Sequence, residues 1–342
     1  MSEPQSPATL ADVARVARVH LSTASRVLHS TGAESRRAAG PQTADRIRQV
    51  ARELNYMRDP AARQLRTRRS SQLAVLVPRL SDLVLATIYE GIQGRAIERG
   101  YTTYVANTQD QDELRMRLTD VALARRSDGL IFGDASLDHT FLDELRGRGV
   151  PVVLVSRRSG DHISATCDDV AGGALVADHL AGLGHQRLAV IGGVPWASTA
   201  VDRIEGFIGR LGELGREVAT DLRVQNGFDA RSGYAAALRC LERPDPPSAI
   251  FAVNDFAALG AMGAAHSLGL QVGRDVAIVG YNDTSLAEVA PLPLTSVRSP
   301  MRDMGTAAAD LMIDLIEGVA VESVVLAPEL VPRESTLGRV AT

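Results

Sequence analysis

Apolar residues recur at helical spacing in the first sixty positions and in short unbroken runs thereafter. Leu10, Val13, Ala14 and Ala17 fall at i, i+3, i+4 and i+7, which predicts a two-turn helix with Asp12, Arg15 and Arg18 off its apolar face. After the break Arg18, Val19, His20, a second face follows from Ala24, Val27 and Leu28. Leu21, Ser22, Ser25 and Arg26 then point away from the core, and side chains of this size and polarity on a helix reach base edges and phosphates in a major groove. A third helix is predicted from Ile47, Val50, Ala51 and Leu54. Between the second and third, His29 to Gln42 reads as a loop from its Gly, Ser and Pro content. Asp59 as N-cap and Pro60 as first helical residue encode a further short helix through Leu65, too short to be stable alone.

From Gln72 the pattern changes. Apolar runs bounded by Gly, Pro and Asp, each followed by a helical pattern, predict strands at 73–77, 102–107, 129–133, 151–156, 163–169, 187–193, 249–255 and 276–283. Such continuous runs belong to parallel sheets covered on both faces, and their number predicts two doubly wound sheets. The order of the strands is not readable from the runs. Ligands in such sheets collect at the carboxyl ends of strands, so Ser156, Asp168, Asp169, Asn254, Asp255, Asn282 and Asp283 are candidates, with helix capping the competing role for Asp168 and Asn254.

Charge adds an asymmetry. The net charge is -4, yet residues 1–70 hold thirteen Arg against six acids, leaving a basic head on an acidic body, as suits a protein that meets a polyanion with one end. Every one of the 37 basic side chains is arginine, so no Walker-type lysine exists. GxGxxG after the first strand, GxSxG and HExxH are also missing, and an enzyme is not expected. Two cysteines, Cys167 and Cys240, are too few for a disulfide framework or a thiolate metal site, and no metal or cofactor is expected. The N-terminus has no basic-then-apolar leader, and no apolar run approaches the ~20 residues needed to span a membrane, so the cytoplasm is the expected compartment.

The blocks TLADVA, STASRVL and RELNYM, in that order, resemble the N-terminal domain of the LacI/GalR family of bacterial transcription regulators. AARQL resembles the family's hinge helix, and DGLIFG, PVVLV, LGHQRLAVIGG, AIFAVNDFAALGA, DVAIVGYNDT and LTSVRSP resemble landmarks of its body. The resemblance implies a disordered tail (1–8), an all-α helix-turn-helix head (9–57), a hinge (58–71) and an α/β body (72–342). It also implies two subdomains of periplasmic-binding-protein type, about 72–168 with 300–327 and 169–299 with 328–342, joined by crossings near Asp168, Ser299 and Ala327. Implied DNA contacts are Thr9, Leu21, Ser22, Thr23, Ser25, Arg26, His29 and Tyr56, with Ala62 and the minor-groove wedge Leu65 in the hinge. Implied effector contacts are Ser156, Arg203, Phe228, Asn254 and Asn282. The partners so implied are double-stranded operator DNA, a sugar-like small-molecule effector and a second copy of the chain in a homodimer, most simply as a repressor. A periplasmic-type sugar receptor and a nucleobase-responsive regulator are the alternatives. Two positions depart from the family pattern: Arg18 stands where glycine is usual and His20 where a capping serine is usual. A left-handed non-glycine costs roughly 1 kcal/mol and histidine is a poor cap, so the sequence leaves the geometry of this turn open. Ser156 and Asn282 stand where Asp is frequent, and Val84 and Leu85 where aromatics are, which implies a cavity of family type with an altered lining.

Overall fold

The structure, a computed structural model, describes residues 8–29, 39–56 and 69–337. The chain divides into two compact units, Met1–Ser70 and Ser71–Thr342. Most of the loop between the second and third helices, and the hinge with Ala62 and Leu65, lie outside the described residues.

In the first unit α1 (Leu10–Val16), α2 (Leu21–His29) and α3 (Pro41–Glu53) close around Val13, Ala14, Ala17, Ala24, Val27, Ala44, Ile47, Val50 and Ala51. This core is the three periodic faces folded onto one another. The ends of the expected loop belong to helices instead: His29 completes α2, and Pro41 opens α3 at its first position, where the missing N–H of proline is no loss.

The second unit holds two six-stranded sheets. The first has the order β11-β5-β4-β3-β1-β2, from β1 (Gln72–Val77), β2 (Thr102–Asn107), β3 (Gly129–Phe132), β4 (Val152–Val155), β5 (Ser164–Cys167) and β11 (Val324–Leu326). The second has the order β12-β10-β9-β8-β6-β7, from β6 (Leu188–Ile191), β7 (Arg223–Val224), β8 (Ala249–Ala252), β9 (Ala277–Asn282), β10 (Thr295–Arg298) and β12 (Glu329–Val331). All pairings are parallel except β10 with β12. The chain passes from one sheet to the other after Cys167, after Arg298 and after Leu326, which makes two lobes joined by three crossings. The eight predicted strands are all present. Six end one to three residues short of their apolar run; after β5 and β8 a helix start takes the remainder, since Asp168 and Asn254 are N-caps rather than strand residues. The short β7, β10, β11 and β12 escape a reading based on apolar runs.

Helices pair on the sheets through reciprocal glycines. In α7 (Asp169–Gly182) and α8 (Ser198–Glu213), a Cβ on Gly173 would lie 2.2 Å from the Arg203 carbonyl oxygen, and one on Gly206 2.0 Å from that of Val170. The same exchange joins α4 (Leu83–Glu98) to α12 (Met301–Glu317) through Gly91 and Gly305, and α9 (Ala230–Leu241) to α10 (Asp255–Ser267) through Gly233 and Gly260. The close approach fixes where α8 sits, and with it Arg203. Gly173→Ala should therefore cost about 1–3 kcal/mol through overpacking against rigid backbone, lowering the thermal midpoint by several degrees. Gly209→Ala, on the partner helix α8 but facing open space, should leave the midpoint unchanged or slightly raised. A scanning-calorimetry comparison of the two checks the reading; equal midpoints would refute it.

Candidate DNA-reading head and effector cleft

The head is built around two capped helix starts. Thr9 Oγ1 accepts from the Asp12 N–H at 3.3 Å while the Asp12 carboxylate accepts from the Thr9 N–H at 3.0 Å, a reciprocal capping box. Hydrogen bonds from Thr9, with Arg15 beside it, hold the Asp12 carboxyl down at about 2. At the turn, Arg18 adopts the left-handed conformation (φ 49°) that glycine usually supplies. His20 caps α2 with its ring: Nδ1 accepts from the Ser22 N–H at 3.3 Å and lies 2.7 Å from Ser22 Oγ. Both departures from the family pattern are thus absorbed without losing the helix-turn-helix. Leu21, Ser22 and Arg26 are exposed on α2, Thr23 and Ser25 half-buried. The Nε of Arg26 donates back to the Ser22 carbonyl. His29 ends the helix, and Tyr56 packs half-buried against the core of the head.

Between the lobes of the body lies a cavity of about 490 Å³. Ser156, Arg203, Phe228, Asn254 and Asn282 all line it, as do Val84 and Leu85. They come from the carboxyl ends of strands in both sheets: Ser156 follows β4, Asn254 follows β8, Asn282 ends β9, Phe228 lies between β7 and α9, and Arg203 is in α8. Four lining residues, Gln109, Asp110, Ser156 and Asn282, hold positive φ angles although none is glycine. Each such residue costs of order 1 kcal/mol or more, and such strain collects at functional sites.

Arg203 is the best-anchored group in the cavity. Its Nε donates to Asp169 at 2.8 Å, Nη1 to the Val253 carbonyl at 2.8 Å and Nη2 to Asn282 Oδ1 at 3.3 Å, while its guanidinium carbon stands 3.8 Å above the Tyr281 ring. The pattern of α8 alone would make it an exposed helix arginine, yet it is 4% exposed. Burial pushes the Asp169 carboxyl up against the pull of Arg203, and burial raises Tyr281 as well. Asn254 has two roles: Oδ1 caps α10 through the Ala257 N–H, and Nδ2 donates to the Phe228 carbonyl, tying two lining residues together. Asp168 caps α7 through the Ala171 N–H and does not line the cavity.

The first lobe contributes charges that the pattern of the chain did not single out. Arg157 is paired with both oxygens of Asp110 at 2.8 and 3.1 Å, and its guanidinium carbon stands 5.8 Å from the centre of the Phe228 ring on the other lobe. Arg115 also stands 3.7 Å from Asp110 and is bonded to Asp134 at 2.8 Å and to Asp112. Nothing in the pattern of α5 (Asp112–Ala124) marks Arg115 as buried, because a polar residue of an amphipathic helix is expected to face solvent. Asp82 caps α4 and also lines the cavity; burial pushes its carboxyl upward. Among the described residues one cluster, Asp143, Asp161 and His162, has metal-ligand spacing, but Arg146 already pairs with both carboxylates.

Beside Asn254, the buried Asp255 accepts from Thr284 N–H, Thr284 Oγ1 and Ser296 Oγ, yet burial raises it to about 6. Its folded value therefore lies above the ordinary 3.8, so the fold binds this proton more tightly than the unfolded chain does. Stability should increase as pH falls from above 6 toward 4, by roughly 2–3 kcal/mol from this group. Asp255→Asn should remove that increase. Urea unfolding at pH 7.5 and 5 measures it, and an equal pH response in both proteins would rule out Asp255 as the source.

A basic three-helix head reading outward from α2, joined to a two-lobed body with a polar cleft at its strand ends, defines a DNA-binding regulator with an effector domain. The comparisons agree on both parts. Residues 9–59 match the profile of bacterial regulatory proteins of the lacI family, and residues 177–336 match that of the periplasmic binding protein-like domain. The transcriptional regulator DegA of Bacillus subtilis (strain 168) is 32% identical, with 96% of this chain and 98% of DegA covered. The transcriptional repressor PurR of Pasteurella multocida (strain Pm70) is 28% identical, with 97% of this chain and 99% of PurR covered. The lac repressor dimer bound to operator and the anti-inducer ONPF has a TM-score of 0.87 at 28% identity, covering 97% of this chain and all of that one. The chain belongs to the lacI family of transcriptional regulators. Among the described residues no helix is long and apolar enough to cross a membrane.

Proposed function

We propose that the protein is a cytoplasmic, homodimeric repressor that leaves or holds a roughly palindromic operator according to a sugar-like effector bound between the lobes. The observation that carries this reading is the convergence of Ser156, Arg203, Phe228, Asn254 and Asn282, from both lobes, on one cavity. Its volume suits a small ligand, Phe228 offers a ring face, and the amides of Asn254 and Asn282 and the hydroxyls of Ser156 and Thr199 offer donors and acceptors for hydroxyl groups. Thr9, Leu21, Ser22, Thr23, Ser25, Arg26, His29 and Tyr56 are the proposed operator contacts, with Ala62 and Leu65 in the hinge. Two such heads on one two-fold axis would require two half-sites.

A thermal-shift screen of monosaccharides, disaccharides and nucleobases against the full chain tests the effector. A stabilising sugar should lose its effect in Phe228→Ala, whose side chain is half-buried and whose removal leaves the fold standing. A ligand present at 100 times its Kd adds about 2.7 kcal/mol, well within detection. Stabilisation by a nucleobase instead of any sugar would replace the sugar reading. Stabilisation by a sugar that persists in Phe228→Ala and Asn254→Ala would remove the cleft from it.

A further inference from the structure

The two lobes are also bonded to one another beside the cavity, chiefly through Arg158, Ser198 and Asp202, which do not line it. Arg158 lies in the first lobe, between β4 and β5, and Asp202 in the second, on α8. The Arg158 Nε donates to Asp202 Oδ2 at 2.8 Å and Nη2 to Oδ1 at 2.5 Å, a two-pronged pairing that tolerates little change in angle. The backbone N–H of Arg158 donates to Ser198 Oγ at 2.9 Å. From the loop after β3, the Leu137 N–H donates to the Trp196 carbonyl, also at 2.9 Å. Two loops of the first lobe therefore hold one stretch of the second, Trp196 to Asp202, by four hydrogen bonds.

Exposure shows how such a contact behaves. Asp202 keeps 11% of its side-chain surface and Arg158 48%. The carboxylate has been taken from water, so it depends on its partner more than an open surface acid would, while the guanidinium remains able to swing back to solvent. The pair is therefore strong when aligned and lost when the lobes part. Its place in the sequence ties it to the cavity: Asp202 precedes Arg203, and Thr199 and Trp196 line the cavity from the same stretch. Displacement of α8 relative to the first lobe cannot break the clasp without also moving these lining groups.

We propose that Arg158 and Asp202 form a clasp across the rim of the cleft that holds the lobes at their closed spacing and sets the energy of opening the cavity. Both are positioning residues: they act on a ligand only through the placement of α8. The clasp goes beyond the effector reading and is measurable with no effector present, so either can fail without the other.

The Leu137 amide has its acceptor on the opposite lobe, and its hydrogen exchange reports the spacing directly. In the full chain at low salt, Arg158→Ala and the near-isosteric Asp202→Asn should each speed exchange at Leu137 about 3- to 10-fold, while the Ile131 amide in β3 is unchanged. Adding Asp202→Asn to Arg158→Ala should speed it no further, since the pair is already broken. Raising the salt concentration should speed exchange in the wild-type chain and not in the variants. Unchanged exchange at Leu137 in both single variants, additive effects in the double variant, or equal acceleration at Ile131 would each overturn the clasp.

Discussion

Arg203→Ala is expected to destabilise the body by roughly 3–5 kcal/mol, because it leaves the Asp169 carboxylate, 4% exposed at its side chain, without its cation. For a unit of this size that amounts to a fall of about 10 °C in the thermal midpoint. The loss should be smaller in Arg203→Ala/Asp169→Asn, since replacing both members of a buried pair costs less than orphaning one. Its pH dependence has a definite sign. Burial already holds the Asp169 carboxyl above its ordinary value in the fold, and removing Arg203 takes away the largest opposing influence. A carboxyl raised in the fold takes up its proton more readily there than in the unfolded chain. The deficit of Arg203→Ala should therefore shrink as pH falls toward the raised value, where the orphaned carboxylate is neutralised. Thermal unfolding of the three proteins between pH 8 and 5 checks this; a single variant as stable as wild type at pH 8 would show that the pair is not a buried ion pair. The prediction also bears on effector tests: a response lost in Arg203→Ala alone could follow from a loosened α8, whereas Phe228→Ala removes a lining group without orphaning a charge.

Residue patterns revealed the elements better than their junctions. The three faces of the head became its core, and the eight apolar runs became strands, because both depend on which positions avoid water, and that is written residue by residue. Strand ends were less legible: a carboxylate or amide after an apolar run can close the strand or cap the next helix, and Asp168 and Asn254 cap. The five residues assigned to an effector by family resemblance meet at one cavity, though resemblance did not reveal that Arg203 is buried and spends its donors on Asp169, Val253 and Asn282. The Arg157–Asp110 pair and the Arg158–Asp202 clasp were not legible at all. Each joins residues more than forty positions apart, and an arginine facing a distant carboxylate has the same local pattern as one facing water. The turn at Arg18 and His20 shows the converse. Two unfavourable local choices are outweighed by packing, since Val19 and Leu10 still close on the core and the His20 ring supplies the missing cap acceptor.

Removing residues 1–70 is expected to abolish DNA binding while leaving the body folded. Ser71–Thr342 is a compact unit with its own cores, so its cooperative unfolding should persist. The removed segment carries a net charge of +7, and what remains carries -11, which repels a polyanion. For the full chain, affinity for duplex DNA should fall steeply with salt, with a log-log slope of about -0.9 for each phosphate neutralised. Neutralisation of about six phosphates would lower affinity on the order of 10³-fold between 50 and 200 mM salt. Arg26, exposed on α2 with its Nε folded back on the Ser22 carbonyl, keeps N–H groups for a phosphate or a base edge. If it meets a phosphate, Arg26→Ala should reduce the slope by about one and weaken all sequences alike. If it meets a base, the same change should cost about 1–3 kcal/mol on the operator and little on random duplex. Fluorescence anisotropy on random and operator duplexes across a salt series separates the two outcomes. Equal DNA affinity for the full chain and for Ser71–Thr342 would remove the head from DNA recognition altogether.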